Sequence, residues 1–372
     1  MFDDIRPYRD DEVNHVLNKL INEVELQSSL AQFSMPLIKK YFSPIANSLV
    51  KWSLKYRLRN IHKIDDIQNE VAKYLHKIVK KSTDGFTHDG LDKLDLTKPS
   101  LFISNHRDIV LDVALVNYAL RQNGIDTVEA AVGDNLLRKS WVADLMRINK
   151  SFIVKRNEKT KRAMLNASKQ LSAYIHHSLT EKQQNIWIAQ KEGRAKDGVD
   201  KTNSALISML LLNKEKTTLI SEYLTTLNII PVAISYELDP CDSDKAKELA
   251  ETDATGSYQK QEDEDMKSIT QGMLGYKGKV HISFCQPIKG DYADSKAIAN
   301  AIDEQIISNY KLYNSNINAY EQLSDRDNES TLIEQLSSRM QHLTKEQRHW
   351  LLTMYANPVS AKKALEEYVQ IS

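Results

Sequence analysis

Between about residues 98 and 290, short apolar runs alternate with longer stretches of helical periodicity, and this alternation constrains the fold most. The runs are SLFISN, EAAVGD, SFIVKR, NIWIAQ, NIIPVAIS and KVHISF. Each has the length and the β-branched or aromatic content of a strand, and the stretches between them have the length of helices. Strands that alternate with helices form α/β layers. We therefore expect an α/β domain over residues 91–290, with a mixed sheet flanked by helices.

The two regions that flank this domain have a helical period instead. In residues 1–90 the apolar residues recur every three or four positions, for example at Val13, Leu17, Leu20 and Val24. Residues 291–372 return to the same period. The sequence thus predicts an N-terminal helical region and a C-terminal helical extension around the α/β domain.

Composition excludes several classes of protein. The 372 residues carry 50 Lys and Arg against 50 Asp and Glu, so no global positive field holds a nucleic-acid backbone, and we expect no nucleic-acid partner. Cys241 and Cys285 have no cysteine neighbour at metal-ligand spacing, which predicts neither structural zinc nor a disulfide framework. The acidic start MFDDIRPYRDDE is unlike a signal peptide, and no apolar run approaches the roughly 18 residues of a spanning helix. We expect a cytoplasmic protein.

Charge is unevenly distributed along the chain. No acidic residue lies between Glu25 and Asp65, where the basic residues are Lys39, Lys40, Lys51, Lys55, Arg57, Arg59 and Lys63. The opposite holds for Glu237–Asp265, an acidic run between two predicted strands, which we interpret as a solvated excursion over the surface.

The segment LFISNHRDIVLDVAL carries the most chemical information. An apolar strand ends at Ser104 and Asn105, and His106 follows in the turn before a predicted helix. A histidine with a carboxylate one helical turn away has the parts of a general base and the group that orients it. The alternative is a local cap or hydrogen bond. A metal site formed by His106, Asp108 and Asp112 is disfavoured, because no second histidine stands nearby.

Three further segments end apolar runs with polar groups or glycine. SFIVKR ends in Lys155 and Arg156, WIAQKEGRAKDG continues into Glu192, Gly193 and Arg194, and IIPVAISYE is opened by a proline. Such endings place functional groups on one rim of the sheet, where α/β folds build their sites. Taken singly, Lys155 and Arg156 are more typical of solvated residues after a strand.

These four blocks, in this order, resemble the glycerol phosphate acyltransferase superfamily over about residues 98–290. The matching features are the His and Asp motif, a strand that ends in arginine, an EGxR-like block and a proline-led strand. SFIVKR and IPVAISYE are more similar to glycerol-3-phosphate acyltransferases than to the enzymes of the second acylation. The resemblance implies an O-acyltransferase of phospholipid synthesis.

Two spacings depart from the family pattern. Five residues separate His106 from Asp112, where the family usually has four, so Asp112 partners His106 only if the extra residue lies in the turn. The competing carboxylate is Asp108, which otherwise caps a helix. Arg194 follows Gly193 directly, where the family usually has a small residue between them, and this affects the identity of the acceptor more than the type of reaction.

The resemblance implies a role for each matching residue. His106 is the expected general base and Asp112 holds its imidazole. Gly193 would allow a close backbone approach to the reacting groups. The expected phosphate clamp is formed by Lys155, Arg156 and Arg194, with Glu192 orienting it.

The resemblance also implies the reactants. The acyl donor is acyl-CoA or acyl-carrier protein, with no bound cofactor or metal, and the acceptor is glycerol-3-phosphate, with lysophosphatidic acid as the alternative. A noncatalytic lipid-binding protein of the same fold is the rival from another class.

A membrane partner is also expected. In a helix over Leu49–His62, Val50, Leu54, Leu58 and Ile61 share a face beside a row formed by Lys51, Lys55 and Arg59. This pattern is typical of a helix that lies on anionic lipid, and equally of a helix that packs its apolar stripe on a core. Because the product of such an enzyme prefers the bilayer, we favour peripheral binding to the inner face of the cell membrane.

Overall fold

The computed structural model describes residues 2–34, 36–137, 139–261, 264–324 and 333–371. The chain divides into two compact units, Met1–Tyr74 with Glu129–Tyr174 and Leu75–Val128 with Ile175–Ser372. This division differs from the segments 1–90, 91–290 and 291–372 because contacts cut across the sequence. They group two strands from the middle of the sequence, within residues 129–174, with the N-terminal helices, and the C-terminal helices with the remaining strands.

The bounds of the elements are as follows. The strands are β1 (Gly85–Asp89), β2 (Leu101–Ser104), β3 (Glu129–Gly133), β4 (Ser151–Val154), β5 (Ile186–Ala189), β6 (Ile229–Tyr236) and β7 (Lys279–Phe284). The helices are α1 (Val13–Asn22), α2 (Val24–Ser34), α3 (Pro36–Tyr41), α4 (Ser43–Leu58), α5 (Ile64–Ser82), α6 (Leu111–Gln122), α7 (Ser140–Ile148), α8 (Lys161–Thr180), α9 (Ser204–Leu210), α10 (Ile220–Leu227), α11 (Asp242–Thr255), α12 (Glu264–Leu274), α13 (Ser295–Asn309), α14 (Asn314–Ser324), α15 (Glu334–Met340) and α16 (Lys345–Ile371). Among the residues described, no helix combines the length and apolarity that crossing a bilayer requires.

In the first unit, helices pack around a small apolar core. Val13, Leu17 and Leu20 lie on the buried face of α1, as their spacing predicts. Val24, the fourth residue of that pattern, begins α2 and is exposed instead. The strands β3 and β4 pair in parallel, with Ala130 opposite Ser151.

The stripe expected to contact a membrane is buried within this unit. Val50 and Leu54 pack with Ala31 and Ala46. Leu58 and Ile61 join the cluster around α1, and α4 already ends at Leu58. The prediction of this stripe as the lipid-facing surface is therefore wrong, because tertiary packing covers it.

In the second unit, five strands form a mixed sheet in the order β1-β7-β6-β2-β5. β2 pairs in parallel with β5 and β6, β1 pairs in parallel with β7, and β6 and β7 are antiparallel. All six apolar runs form strands, and β6 is buried along its whole length, as expected of a central strand with both faces covered. Together with the helices around these strands, the expected fold class is confirmed.

Two local expectations were wrong. β1 lies inside the region predicted to be helical, because GFTHD is a short edge strand whose exposed and half-buried residues alternate and which lacks an apolar run. The acidic run forms the helices α11 and α12 rather than a solvated loop, and it buries Asp239, Asp242 and Lys245. Residues 262 and 263 of that run, and 325–332 and 372 of the C-terminal extension, lie outside the described residues.

Candidate active site

The turn between β2 and α6, residues 105–110, places His106 beside Asp112; we call it the histidine turn. β2 ends at Ser104 and α6 begins at Leu111, so Asp112 lies in the first turn of the helix. His106 Nδ1 is 2.9 Å from Asp112 Oδ2. The imidazole is 14% exposed and the carboxylate is fully buried. This is the arrangement in which a carboxylate holds one tautomer of a histidine and leaves Nε2 to take up a proton.

The Asp112 carboxylate is held by more than the histidine. Its Oδ2 also accepts hydrogen bonds from the backbone N–H groups of Arg107 at 2.6 Å and Asp108 at 2.9 Å. Its Oδ1 accepts from the Tyr236 hydroxyl at 2.8 Å. Hydrogen bonds to an ionised carboxylate compensate the cost of burying it. These hydrogen bonds fix the position of the carboxylate.

Asp108, the competing carboxylate, has a different task. Its Oδ1 accepts from the N–H groups of Val110 at 3.0 Å and Leu111 at 2.7 Å, where α6 begins. Burial, followed by the nearby charge of Asp112, raises the pKa of Asp108. The extra residue of this chain thus lies in the turn, and the carboxylate that reaches His106 is Asp112.

Asn105 ties the histidine turn to the neighbouring strand. Its amide donates to the carbonyl of Ile234 at 2.9 Å and accepts from the Ile234 N–H at 2.8 Å. The side chain thereby continues the hydrogen bonding of β2 with β6 beyond the end of the strand. Trp187, on the other neighbouring strand, packs edge-on against the imidazole with ring centroids 6.0 Å apart.

The loop after β5 runs beside the histidine turn. β2 and β5 are parallel, with Ser104 opposite Ala189, so both loops leave the sheet at the same edge, as the sequence predicts. The Ala195 N–H donates to the carbonyl of His106 at 2.7 Å. Gly193 has a φ of +75°, a conformation that glycine adopts without strain. This contact brings the loop with Glu192, Gly193 and Arg194 next to the histidine.

Arg107 points into the protein. Its guanidinium lies 2.6 Å from Asp200 and 5.6 Å from the ring centroid of Tyr310, and it is buried. The ion pair joins the histidine turn to the end of the β5 loop. Arg107 is thus a structural cation at this site.

Lys155 and Arg156 belong to the first unit, where both lie near an acidic residue. Lys155 forms an ion pair with Asp4, and its ammonium also donates a hydrogen bond to Gln170. The backbone N–H of Arg156 donates to Asp134. Arg194 therefore remains, among the three expected clamp residues, the one that lies in the same unit as His106.

Sequence reasoning missed the residues that support the pair. Tyr236 ends β6 and Asn105 directly follows β2, and a polar residue at the end of a strand was the available signal for both. Their partners are more than 120 positions away in sequence, so no local pattern connects them. In the part of the chain that the structure describes, no group of three His, Cys, Asp or Glu residues could hold a metal ion.

Comparison with known proteins assigns the class. Residues 85–235, which include the histidine turn and the loop after β5, match the family model described as Acyltransferase. The chain therefore carries an acyltransferase domain, and the O-acyltransferase class inferred from the four sequence blocks is confirmed. The match lies in the same part of the chain as the resemblance to the glycerol phosphate acyltransferase superfamily.

Solved structures match as well, among them one of an acyltransferase. It is the 1-acyl-sn-glycerophosphate (LPA) acyltransferase PlsC from Thermotoga maritima, at 12% sequence identity and a TM-score of 0.38. The alignment covers 76% of this chain and 92% of that one. No curated protein matches the chain.

Proposed function

We propose that this protein transfers a fatty acyl group from acyl-CoA or acyl-carrier protein to a hydroxyl of glycerol-3-phosphate, with His106 as the general base. Lysophosphatidic acid is the alternative acceptor. The observation that carries the proposal is the hydrogen bond from His106 to the fully buried Asp112. It supports base catalysis because it leaves Nε2 as the nitrogen that exchanges a proton.

The proposed reaction uses this geometry as follows. As the acceptor oxygen attacks the thioester carbonyl, its proton passes to Nε2 and the new C–O bond forms. The resulting imidazolium is stabilised by Asp112. Collapse of the tetrahedral intermediate breaks the C–S bond, and the proton moves from Nε2 to the departing sulfur. The reaction needs no acyl-enzyme intermediate. Both cysteines are buried.

The loop after β5 supports the assignment of acceptor binding. Arg194 is half-buried and directly follows Gly193, whose φ is positive. A guanidinium suits two-pronged binding of a phosphate. We propose Arg194 as the principal phosphate ligand, with Glu192 orienting it.

The test uses purified protein, radiolabelled palmitoyl-CoA or palmitoyl-acyl-carrier protein, and each acceptor in turn. We expect labelled lysophosphatidic acid from glycerol-3-phosphate, and none with His106→Ala. Product only from lysophosphatidic acid would support the alternative acceptor. A folded protein that binds the lipid but transfers no acyl group from either donor would overturn the proposal in favour of a noncatalytic lipid-binding protein.

We also propose that the protein works peripherally on the inner face of the cell membrane, through a face of α3 and α4 other than the buried stripe. This aromatic face consists of Tyr41, Phe42, Ile45, Leu49, Trp52 and Tyr56. Trp52 and Tyr41 are each 68% exposed. Residues spaced three or four apart lie on one side of a helix, so the last four members form a continuous stripe along α4.

The cations beside the aromatic face support anionic lipid as its partner. Arg59 lies over the Tyr56 ring at 4.3 Å, and Lys40 lies over Tyr41 at 5.5 Å. Exposed aromatic rings next to cations suit the level of the lipid headgroups. Each cation near an anionic membrane contributes about 1 kcal/mol.

Vesicle sedimentation tests this docking. Trp52→Ser with Tyr56→Ser should abolish binding to vesicles that contain phosphatidylglycerol, and raised salt should weaken binding by the wild type. Met266→Ser, which removes an exposed apolar side chain of α12 in the second unit, is the control and should bind normally. Equal binding by the double variant would exclude the aromatic face.

A further inference from the structure

A buried lysine outside the acyltransferase match contacts the histidine turn. Lys245 lies on α11, is 2% exposed, and donates from Nζ to the backbone carbonyl of Arg107 at 2.7 Å. It also forms an ion pair with Asp239. A buried ammonium is costly unless it is paired and hydrogen-bonded, and Lys245 satisfies both conditions at this point.

The carbonyl that Lys245 contacts belongs to a peptide unit whose other side faces Asp112. That unit joins Arg107 to Asp108, and its N–H donates to Asp112 Oδ2 at 2.9 Å. The same peptide plane is therefore held at its oxygen by the ammonium and at its hydrogen by the carboxylate. A cation on the carbonyl polarises the peptide and strengthens the N–H as a donor. The position of Asp112, and through it that of His106, thus depends on Lys245.

The acidic partner of Lys245 is held by the C-terminal helices. The Asp239 N–H donates to the Tyr355 hydroxyl at 2.8 Å, and the Asp239 carbonyl accepts from Arg339 at 2.8 Å. Both Tyr355 and Arg339 also donate to Asp242, at 2.8 and 2.7 Å. Burial opposes ionisation of Asp239, but the charge of Lys245 and its hydrogen bond outweigh it and lower the pKa of this carboxyl.

Apolar packing joins α11 to the C-terminal helices. Ala246, next to Lys245, lies in one buried cluster with Leu351 of α16 and Met340 of α15. The helix α16 also supports the loop after β5, since Asn357 donates to the carbonyl of Asp197 at 2.7 Å. The C-terminal helices therefore support both loops that form the candidate active site.

We propose that Lys245 is a positioning residue for acyl transfer, and that the helices α15 and α16 hold it in place through Asp239. The polar network of Lys245, Asp239, Asp242, Arg339 and Tyr355 connects the C-terminal extension to the His106–Asp112 pair. The proposal rests on the proposed role of His106 as the base. It gives the C-terminal extension a function in catalysis although the extension lies outside residues 85–235.

The test replaces the ion pair as a whole, because a single change would leave one buried charge without its partner. In Lys245→Met with Asp239→Asn, the turn loses its cationic donor while charge stays balanced. We expect kcat to fall about 10- to 100-fold, as misplacement of catalytic groups does, with KM changed less than about threefold. The assay uses palmitoyl-CoA and whichever acceptor the wild type acylates. Lys247→Met, which removes an exposed lysine from the same helix, should keep the kcat of the wild type.

A spectroscopic readout separates this proposal from the proposed function. In protein with ¹⁵N-labelled histidine, the Nδ1–H signal of His106 is assigned by its absence in His106→Ala. The signal should broaden or disappear in the double variant but persist in Lys247→Met. An unchanged signal and a kcat within twofold of the wild type would overturn the positioning role while leaving His106 as the base.

A milder variant covers the case in which the double variant does not fold. Tyr355→Phe removes one hydroxyl, which accepts a hydrogen bond from the Asp239 N–H and donates one to Asp242. We expect kcat to fall about three- to tenfold with an unchanged KM, because Asp239 loses one of its anchors. If this variant is folded and keeps both the kcat and the His106 signal of the wild type, the proposal fails.

Discussion

The hydroxyl of Tyr236, the last residue of β6, donates a hydrogen bond of 2.8 Å to Oδ1 of Asp112. The other oxygen of this carboxylate is hydrogen-bonded to His106. Burial, and then the charge of Asp112, raise the pKa of Tyr236 well above its usual value, so the phenol stays a donor at every working pH. The central strand of the sheet thus fixes the far side of the carboxylate that orients the histidine.

Tyr236→Phe should therefore weaken both stability and catalysis. Removal of the hydroxyl leaves a buried carboxylate oxygen without this donor, which costs about 1–3 kcal/mol in the free energy of unfolding. We expect kcat to fall about tenfold as Asp112 loses one of its supports. Urea denaturation and steady-state kinetics measure the two effects. Tyr313→Phe is the control, because the buried Tyr313 hydroxyl has no hydrogen-bond partner among the described residues, and wild-type kcat is expected.

The two candidate carboxylates can be separated by matched amide substitutions. Asp112→Asn should lower kcat by about 10²- to 10⁴-fold, because an amide cannot stabilise the imidazolium or enforce its tautomer. Asp108→Asn should keep most of the activity, because an amide oxygen still accepts from the N–H groups at the start of α6. The opposite ranking of the two variants in the acyl-transfer assay would assign the role to Asp108.

Gly272→Ala should disturb the histidine turn, although Gly272 is far from this turn in sequence. A Cβ at this position of α12 would overlap Oδ2 of Asp108. Alanine normally stabilises a helix by about 0.8–1 kcal/mol over glycine, but the overlap forces Asp108 off the start of α6 and costs about 1–3 kcal/mol. We expect a net loss in the free energy of unfolding together with a lower kcat. Gly85→Ala, where no atom lies within 4 Å of the new methyl group, should leave kcat unchanged.

Asp303 should make stability depend on pH between about 4 and 6. Burial, opposed by the hydrogen bonds from Thr202, raises the pKa of Asp303 to about 6. A carboxyl whose pKa is higher in the folded state binds more protons there, so its contribution to stability is lost as the pH rises through this window.

Asp303→Asn keeps an oxygen acceptor for Thr202 and removes the charge. Relative to the wild type, its free energy of unfolding should rise by about 1–2 kcal/mol between pH 4 and pH 7, a figure reduced for the partial exposure of the group. Urea denaturation at each pH, taken as the difference between the two proteins, isolates this group from the other carboxylates. A constant difference across the range would contradict the prediction.

Local pattern in the sequence determined the strands β2–β7 and the histidine turn, and the resemblance of four blocks to a known family indicated the class of reaction. The six apolar runs have too few residues for helices, and His106 with Asp112 follows one of them at a spacing that a turn and one helical turn can close. Only the structure decided that Asp112, and not Asp108, is the partner of His106. The choice depends on where α6 begins, because a shift of one residue at the start of a helix changes which carboxylate reaches the imidazole.

Only the tertiary structure decided which residues support the pair and which faces are covered. Tyr236 and Lys245 reach the histidine turn across more than 120 residues of chain, and no periodicity encodes such contacts. The apolar stripe of α4 packs against α1 and α2, while the aromatic face of the same helix is exposed. A hydrophobic stripe specifies that a surface will be covered, whereas the partner that covers it is set by the packing of the whole unit.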